Sequence, residues 1–232
     1  MFLPPGFDKA IALEAGSLVL QAYAQFDQSK QGLPWTVPAS YDLLGTFSAK
    51  GETLDARGEL FGFVARNRAS QAVFVAIRGT ESLEDWLSDF TFPQTAHPWG
   101  KAEDGVSKLY QQCSPDIKTA VQRAGIPSNV FVTGHSLGAG IAILAMADLV
   151  ISGIAPNAIM YSFAGLRVGD LQFAAKFNQS VRAAWRIANT EDIVPTVPLA
   201  TPDLASASDR HTPLRVHAKL TSTDSHRLGA MV

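Results

Sequence analysis

Residues 130–153 constrain this chain more than any other stretch. Val130-Phe131-Val132-Thr133 runs into Gly134-His135-Ser136-Leu137-Gly138, and an apolar segment continues from there to Ser152 and Gly153. The first four residues read as a short buried strand, and Gly138–Ser152 reads as a helix closed by Gly153. The serine between them therefore stands on a sharp strand-to-helix turn, with its hydroxyl clear of the sheet. Such a turn crowds the backbone, and the flanking glycines relieve the clashes. The helix start supplies unpaired N–H groups and a positive dipole end, where developing negative charge is stabilised. G-x-S-x-G alone is weak, and a plain serine N-cap is the bland alternative; the strand before it and the helix after it give the motif its weight. Leu137–Ala155 is long enough to resemble a membrane span, but Asp148, Gly138 and Gly140 within it favour a buried helix.

The rest of the chain alternates strands with helices. Asp8–Phe26 has helical apolar spacing with Asp8 as N-cap, and Pro34–Tyr41 is a loop. Leu60–Arg66 and Ala72–Ile77 read as an antiparallel pair joined by the polar turn Asn67–Ser70. Pro93, Pro98 and Gly100 mark an irregular connection. Helices follow at Gly105–Gln112 and Pro115–Ala124, a strand at Asn157–Phe163, and a helix capped by Asp170. Val181–Ile187 and Leu214–Leu220 complete the strands, with a long loop at Thr201–Pro213 between them. This order predicts an α/β fold with a mainly parallel sheet. No composition shift divides the chain, so 1–232 is expected to be one domain.

Charge and cysteine content remove several classes of function. The formal net charge is −2, from 19 basic and 21 acidic residues, with no basic block. Nucleic-acid binding through phosphate contacts is not expected. The single cysteine, Cys113, permits neither an intrachain disulfide nor a thiolate zinc cluster. The first residues lack a basic leader, which weakly favours the cytoplasm over secretion, unless the chain has been trimmed. No transmembrane segment is expected.

A serine is a poor nucleophile until a base acts on it. The five histidines are His97, His135, His211, His217 and His226. His135 adjoins the serine, and the sharp turn directs its side chain elsewhere. His97 precedes the turn, whereas the acid and histidine of this arrangement usually follow the serine in that order. His217 falls in a strand, which leaves His211 and His226 evenly placed. The acid lies between, with Asp192 or Glu191 just after the strand ending near Ile187 and with Asp203 and Asp209 further on. Ser82–Phe90 carries an apolar stripe of Leu83, Trp86, Leu87 and Phe90 at i, i+3, i+4 and i+7.

Several short motifs in a fixed order resemble the class 3 lipase family, the fungal-type triacylglycerol lipases of the α/β-hydrolase superfamily. They are Ile77-Arg78-Gly79-Thr80, Leu83–Phe92 with Asp85-Trp86 and Asp89, Val132–Ala139, Ser162-Phe163-Ala164-Gly165 with Arg167-Val168-Gly169, and Asn189 with Asp192-Ile193-Val194-Pro195. The chain departs from the family at Leu166, where proline is common, and in lacking a disulfide. The resemblance implies an α/β-hydrolase fold with a short helical lid, and hydrolysis of triacylglycerols or related acyl esters without metal or organic cofactor. It makes Ser136 the nucleophile, Asp192 the orienting acid and His226 the base. It gives the oxyanion hole to the amides of Thr80 and Leu137, with Asp89 as a supporting carboxylate. It places the lid at Glu81–Phe90, where the stripe either packs on the core or turns toward lipid at a transient lipid–water contact. Esterases for short-chain or aryl esters, phospholipases and a non-catalytic binding module are the alternatives. With an ordinary histidine as base, titrating near about pH 6.5, activity falls below neutrality.

Overall fold

The computed structural model describes residues 6–50, 58–80, 93–188 and 217–218. Helix α1 spans Lys9–Lys30, and the Asp8 carboxylate caps it by accepting the Ala10 and Ile11 N–H groups. Strands β1 (Tyr41–Ala49), β2 (Glu59–Asn67) and β3 (Val73–Ile77) follow. A small hairpin of β4 (Gln94–His97) and β5 (Gly100–Glu103) precedes helix α2 (Asp104–Arg123). Then come β6 (Val130–His135), α3 (Leu137–Ile151), β7 (Ile159–Phe163), α4 (Leu171–Ser180), β8 (Ala183–Ile187) and β9 (His217–Ala218).

Among the described residues, seven strands form one sheet in the order β1-β2-β3-β6-β7-β8-β9. The first two pairings are antiparallel and the remaining four parallel. Strand β3 shows how the sheet is covered. All five of its residues are buried, as a continuous apolar run requires when both faces are packed. Val73, Val75 and Ile77 face the cluster built with α2 and α3, while Phe74 and Ala76 face the cluster built with α1. Strand β6 alternates in the same way, with Val130 and Val132 on one face and Phe131 on the other. The parallel strands β3, β6, β7 and β8 thus bring their carboxyl ends to one rim.

Three elements differ from the sequence expectations. The connection at Pro93–Gly100 is a hairpin, with Gln94 paired to Glu103 and His97 to Gly100. The two helices expected at Gly105–Gln112 and Pro115–Ala124 are one helix, with Pro115 inside it. Pro115 lacks the N–H that continues a helix, and contacts to α3 hold the turns on either side of it. The hydroxyls of Tyr110 and Ser114 both donate to the Asp148 carboxylate, at 2.5 and 2.9 Å, and Lys118 pairs with it at 2.8 Å. Strand β1 has no counterpart among the sequence expectations. Cys113 is a fully buried core residue of α2, and burial pushes its thiol up to about 12. Among the described residues, no helix is long and apolar enough to cross a membrane.

Candidate active site

The chain leaves β6 at His135 and enters α3 at Leu137, so Ser136 alone makes the corner. Its φ of 54° and ψ of −122° are sparsely populated for a residue with a side chain, at a cost of order 1–3 kcal/mol. Its neighbours hold it there. The Ser136 N–H donates to the Phe163 carbonyl of β7 at 3.0 Å, and the Ser136 carbonyl accepts the Ala139 N–H at 3.0 Å. Both glycines of the motif are needed on contact grounds. A Cβ on Gly134 would lie 2.3 Å from the Gly138 carbonyl oxygen. A Cβ on Gly138 would lie 2.1 Å from the Arg78 carbonyl oxygen. The end of β3 is thereby pressed against the start of α3.

Ser136 is 2% exposed, and its Oγ has no hydrogen-bond partner among the described residues. The hydroxyl does not cap α3, which has no acidic residue in its first turn. A serine at a helix start ordinarily spends its oxygen on the N2 or N3 amide. Here the oxygen binds neither amide. The positive end of α3 is left to act on whatever charge forms at the corner.

Of the expected oxyanion donors, Leu137 opens α3 directly after Ser136, and Thr80 lies three residues past the end of β3, half-buried. Gly79, just before Thr80, is in close contact with the corner, since a Cβ there would stand 3.1 Å from the Ser136 Cβ. Asp192, His226, Asp89 and the stripe residues Leu83, Trp86, Leu87 and Phe90 lie outside the described residues, as do Glu191, Asp203, Asp209 and His211.

The other histidines separate by position. His97 ends β4 and packs against Phe173 and Trp99, where burial lowers its affinity for a proton. His217 sits in β9, in register with Arg186 of β8. His135 has its Nδ1 2.8 Å from the Tyr23 hydroxyl.

Two residues at this rim were assigned no role from the sequence. Tyr23 of α1 accepts the Gly79 N–H at 2.9 Å. Arg78 is 1% exposed, pairs with Glu59 at 2.7 Å, and donates to the Leu60 and Gly79 carbonyls. Its guanidinium lies 3.5 Å from the centre of the Phe26 ring and 4.8 Å from that of Phe61. Arg78 belongs to the Ile77-Arg78-Gly79-Thr80 motif. Nothing marked Tyr23, which reads as one apolar position of an amphipathic helix.

A mainly parallel sheet with a strained serine between its central strand and a buried helix defines an α/β-hydrolase fold. Residues 74–201, more than half of the chain, match the lipase (class 3) family, and the chain belongs to that family. It is 34% identical over 144 residues to the secreted mono- and diacylglycerol lipase A of Penicillium cyclopium, covering 60% of this chain and 47% of that protein. It is 32% identical over 146 residues to a lipase of Rhizomucor miehei, covering 59% and 40% respectively. The chain thus spans under half the length of these relatives. A crystal structure of a mutant MDLA from Penicillium cyclopium superposes with a TM-score of 0.70 at 25% identity, covering 93% of this chain and 82% of that one. The Penicillium relative is a secreted enzyme, which overturns the weak preference for the cytoplasm.

Proposed function

We propose that the chain, as a single domain over 1–232, is a serine hydrolase of carboxylic esters acting on acylglycerols. The observation that carries this reading is Ser136, strained at φ 54° on the strand-to-helix corner with its hydroxyl unbonded among the described residues. The lipase relatives support the acyl-ester substrate. Asp192 and His226 take the roles of orienting acid and base on the family's pattern, with Asp89 supporting the Thr80 region. Leu83, Trp86, Leu87 and Phe90 form the lid stripe that meets the lipid–water interface.

The reaction runs in two halves. His226 takes the Ser136 proton as Oγ attacks the ester carbonyl, and the amides of Thr80 and Leu137 hold the resulting oxyanion. The C–O bond to the alcohol breaks, the alcohol leaves with the proton from His226, and the acyl group stays on Ser136. Water then attacks the acyl-enzyme, giving its proton to His226, and the fatty acid departs as Ser136 recovers its hydroxyl.

Ser136→Ala is the test. It keeps a Cβ at the same φ, as Ala164 does at φ 47° elsewhere on the rim. A folded Ser136→Ala protein is expected to lose hydrolysis by about 10⁴-fold or more; retained activity would reject the reading. A chain-length series of nitrophenyl esters, run beside a triolein emulsion, fixes the substrate class. Rates that climb with acyl length and extend to the emulsion fit a lipase, and a maximum at the shortest esters contradicts it.

A further inference from the structure

The peptide that carries the Thr80 amide and the peptide before it are each held by a residue outside the catalytic constellation. A trans peptide points its C=O and N–H in opposite directions, so fixing one fixes the other. The Gly79 carbonyl accepts from Arg78 Nη1 at 2.6 Å, which directs the Thr80 N–H away from Arg78. The preceding peptide is fixed as well. Its N–H, on Gly79, donates to the Tyr23 hydroxyl at 2.9 Å, and its carbonyl, on Arg78, abuts Gly138.

The same Tyr23 hydroxyl lies 2.8 Å from Nδ1 of His135, the residue before the nucleophile. One oxygen therefore touches both segments that must converge on an oxyanion, the end of β3 and the corner after β6. The Tyr23 and His135 rings also meet edge to face, with centroids 5.9 Å apart. Three residues further along α1, Phe26 lies against the Arg78 guanidinium. Tyr23 and Phe26 sit on one face of the helix, so α1 sets both anchors of the Gly79 loop. Glu59 pairs with the guanidinium, which lets a charge remain at 1% exposure.

We propose that Tyr23 and Arg78 are positioning residues that preset the Gly79–Thr80 peptide, and with it the Thr80 amide, against Ser136. The charged donor on the Gly79 carbonyl also polarises that peptide and strengthens its N–H. This rests on the reading of Ser136 as nucleophile and Thr80 as oxyanion donor. Removing a whole oxyanion donor costs roughly 10²–10³-fold in kcat, so loosening one costs less.

Tyr23→Phe tests the proposal, because it deletes one hydroxyl and keeps a half-buried ring in place. The substrates are a soluble nitrophenyl ester and its thiono analogue, whose sulfur is a poor hydrogen-bond acceptor. The expected result is a fall in kcat of about tenfold or more on the oxo ester, with KM within about twofold. The thiono ester should slow much less, so the oxo-to-thiono rate ratio falls with kcat. An unchanged kcat overturns the proposal, and so does a fall in kcat with the rate ratio unmoved, which marks a merely structural tyrosine. Wild-type and Ser136→Ala proteins run beside it keep the two claims apart. If the wild type is active and Ser136→Ala is dead, a silent Tyr23→Phe refutes only the positioning role.

Discussion

Two corners on the same rim share a positive φ and differ in what they carry. After β6 the chain turns at Ser136, with φ 54°; after β7 it turns at Ala164, with φ 47°. Each corner residue gives its N–H to the last carbonyl of the next strand, Ser136 to Phe163 at 3.0 Å and Ala164 to Ile187 at 2.8 Å. The positive φ thus occurs with and without a hydroxyl, and it does not by itself mark a catalytic residue. The following residues make the difference. Ser136 opens directly into α3 and its free N–H groups. Ala164 leads into a loop in which the Gly165 carbonyl accepts from Arg186 and which reaches α4 only at Leu171. One corner has a hydroxyl beside a helix start; the other has a methyl beside a loop.

Breaking the first corner should do the most damage. Gly138→Ala puts a methyl 2.1 Å from the Arg78 carbonyl oxygen, where only backbone can yield. The expected loss is about 3 kcal/mol or more in chemical denaturation, with hydrolysis lost beside it. A variant of wild-type stability would mean that β3 and α3 do not press together as described.

The helix behind that corner offers a second, smaller test. Burial alone would raise the Asp148 carboxyl, but hydrogen bonds from Lys118, Tyr110 and Ser114 outweigh it and hold the group below the ordinary carboxylate range. A depressed carboxyl stabilises the fold above its unfolded pKa and loses that contribution as the pH falls through the folded value. Asp148→Asn should therefore cost about 1–2 kcal/mol at neutral pH. The difference from wild type should shrink in acid, below the ordinary carboxylate range. Equal differences at neutral and acid pH would show that the charge is not what anchors α3 to α2.

The smallest effect is expected at the second corner. Ala164→Gly relieves about 1 kcal/mol of strain. It also frees the unfolded chain and removes a buried methyl, each worth a little under 1 kcal/mol. The net change should stay within about 1 kcal/mol, with ester hydrolysis near the wild-type rate. A large loss of activity would mean that the β7 corner belongs to the site, and the contrast between the corners would fail.

Legibility in the sequence followed how local the determinants were. Helix α1 was marked by Asp8 and its apolar spacing, and β2, β3 and β6 by continuous apolar runs. Strand β1 was hidden because Asp42 and Gly45 interrupt its alternation, and its pairing with β2 shifts register at Leu43/Gly45 and Phe47/Ser48. The β4–β5 hairpin was masked by Pro98 at its turn and Gly100 at the start of β5, which read as an irregular loop. The break assigned at Pro115 followed local propensity, which contacts to Asp148 override. The Ser136 corner was legible because its strand, glycines and helix are contiguous. Tyr23 was not, since its partner His135 is 112 residues away and nothing around it in α1 signals the contact. Thr80, Asp192 and His226 took their roles from the family's pattern, because local sequence left more than one acid and more than one base.

The central claim is that Ser136 is an activated nucleophile and not a strained helix cap. A fluorophosphonate probe followed by peptide mapping tests this most directly, because it needs no knowledge of the natural substrate. The account predicts a single covalent adduct on Ser136 in the folded protein, absent after denaturation and absent in Ser136→Ala. A folded, hydrolytically active protein that takes no label, or takes it on another serine, would contradict the account.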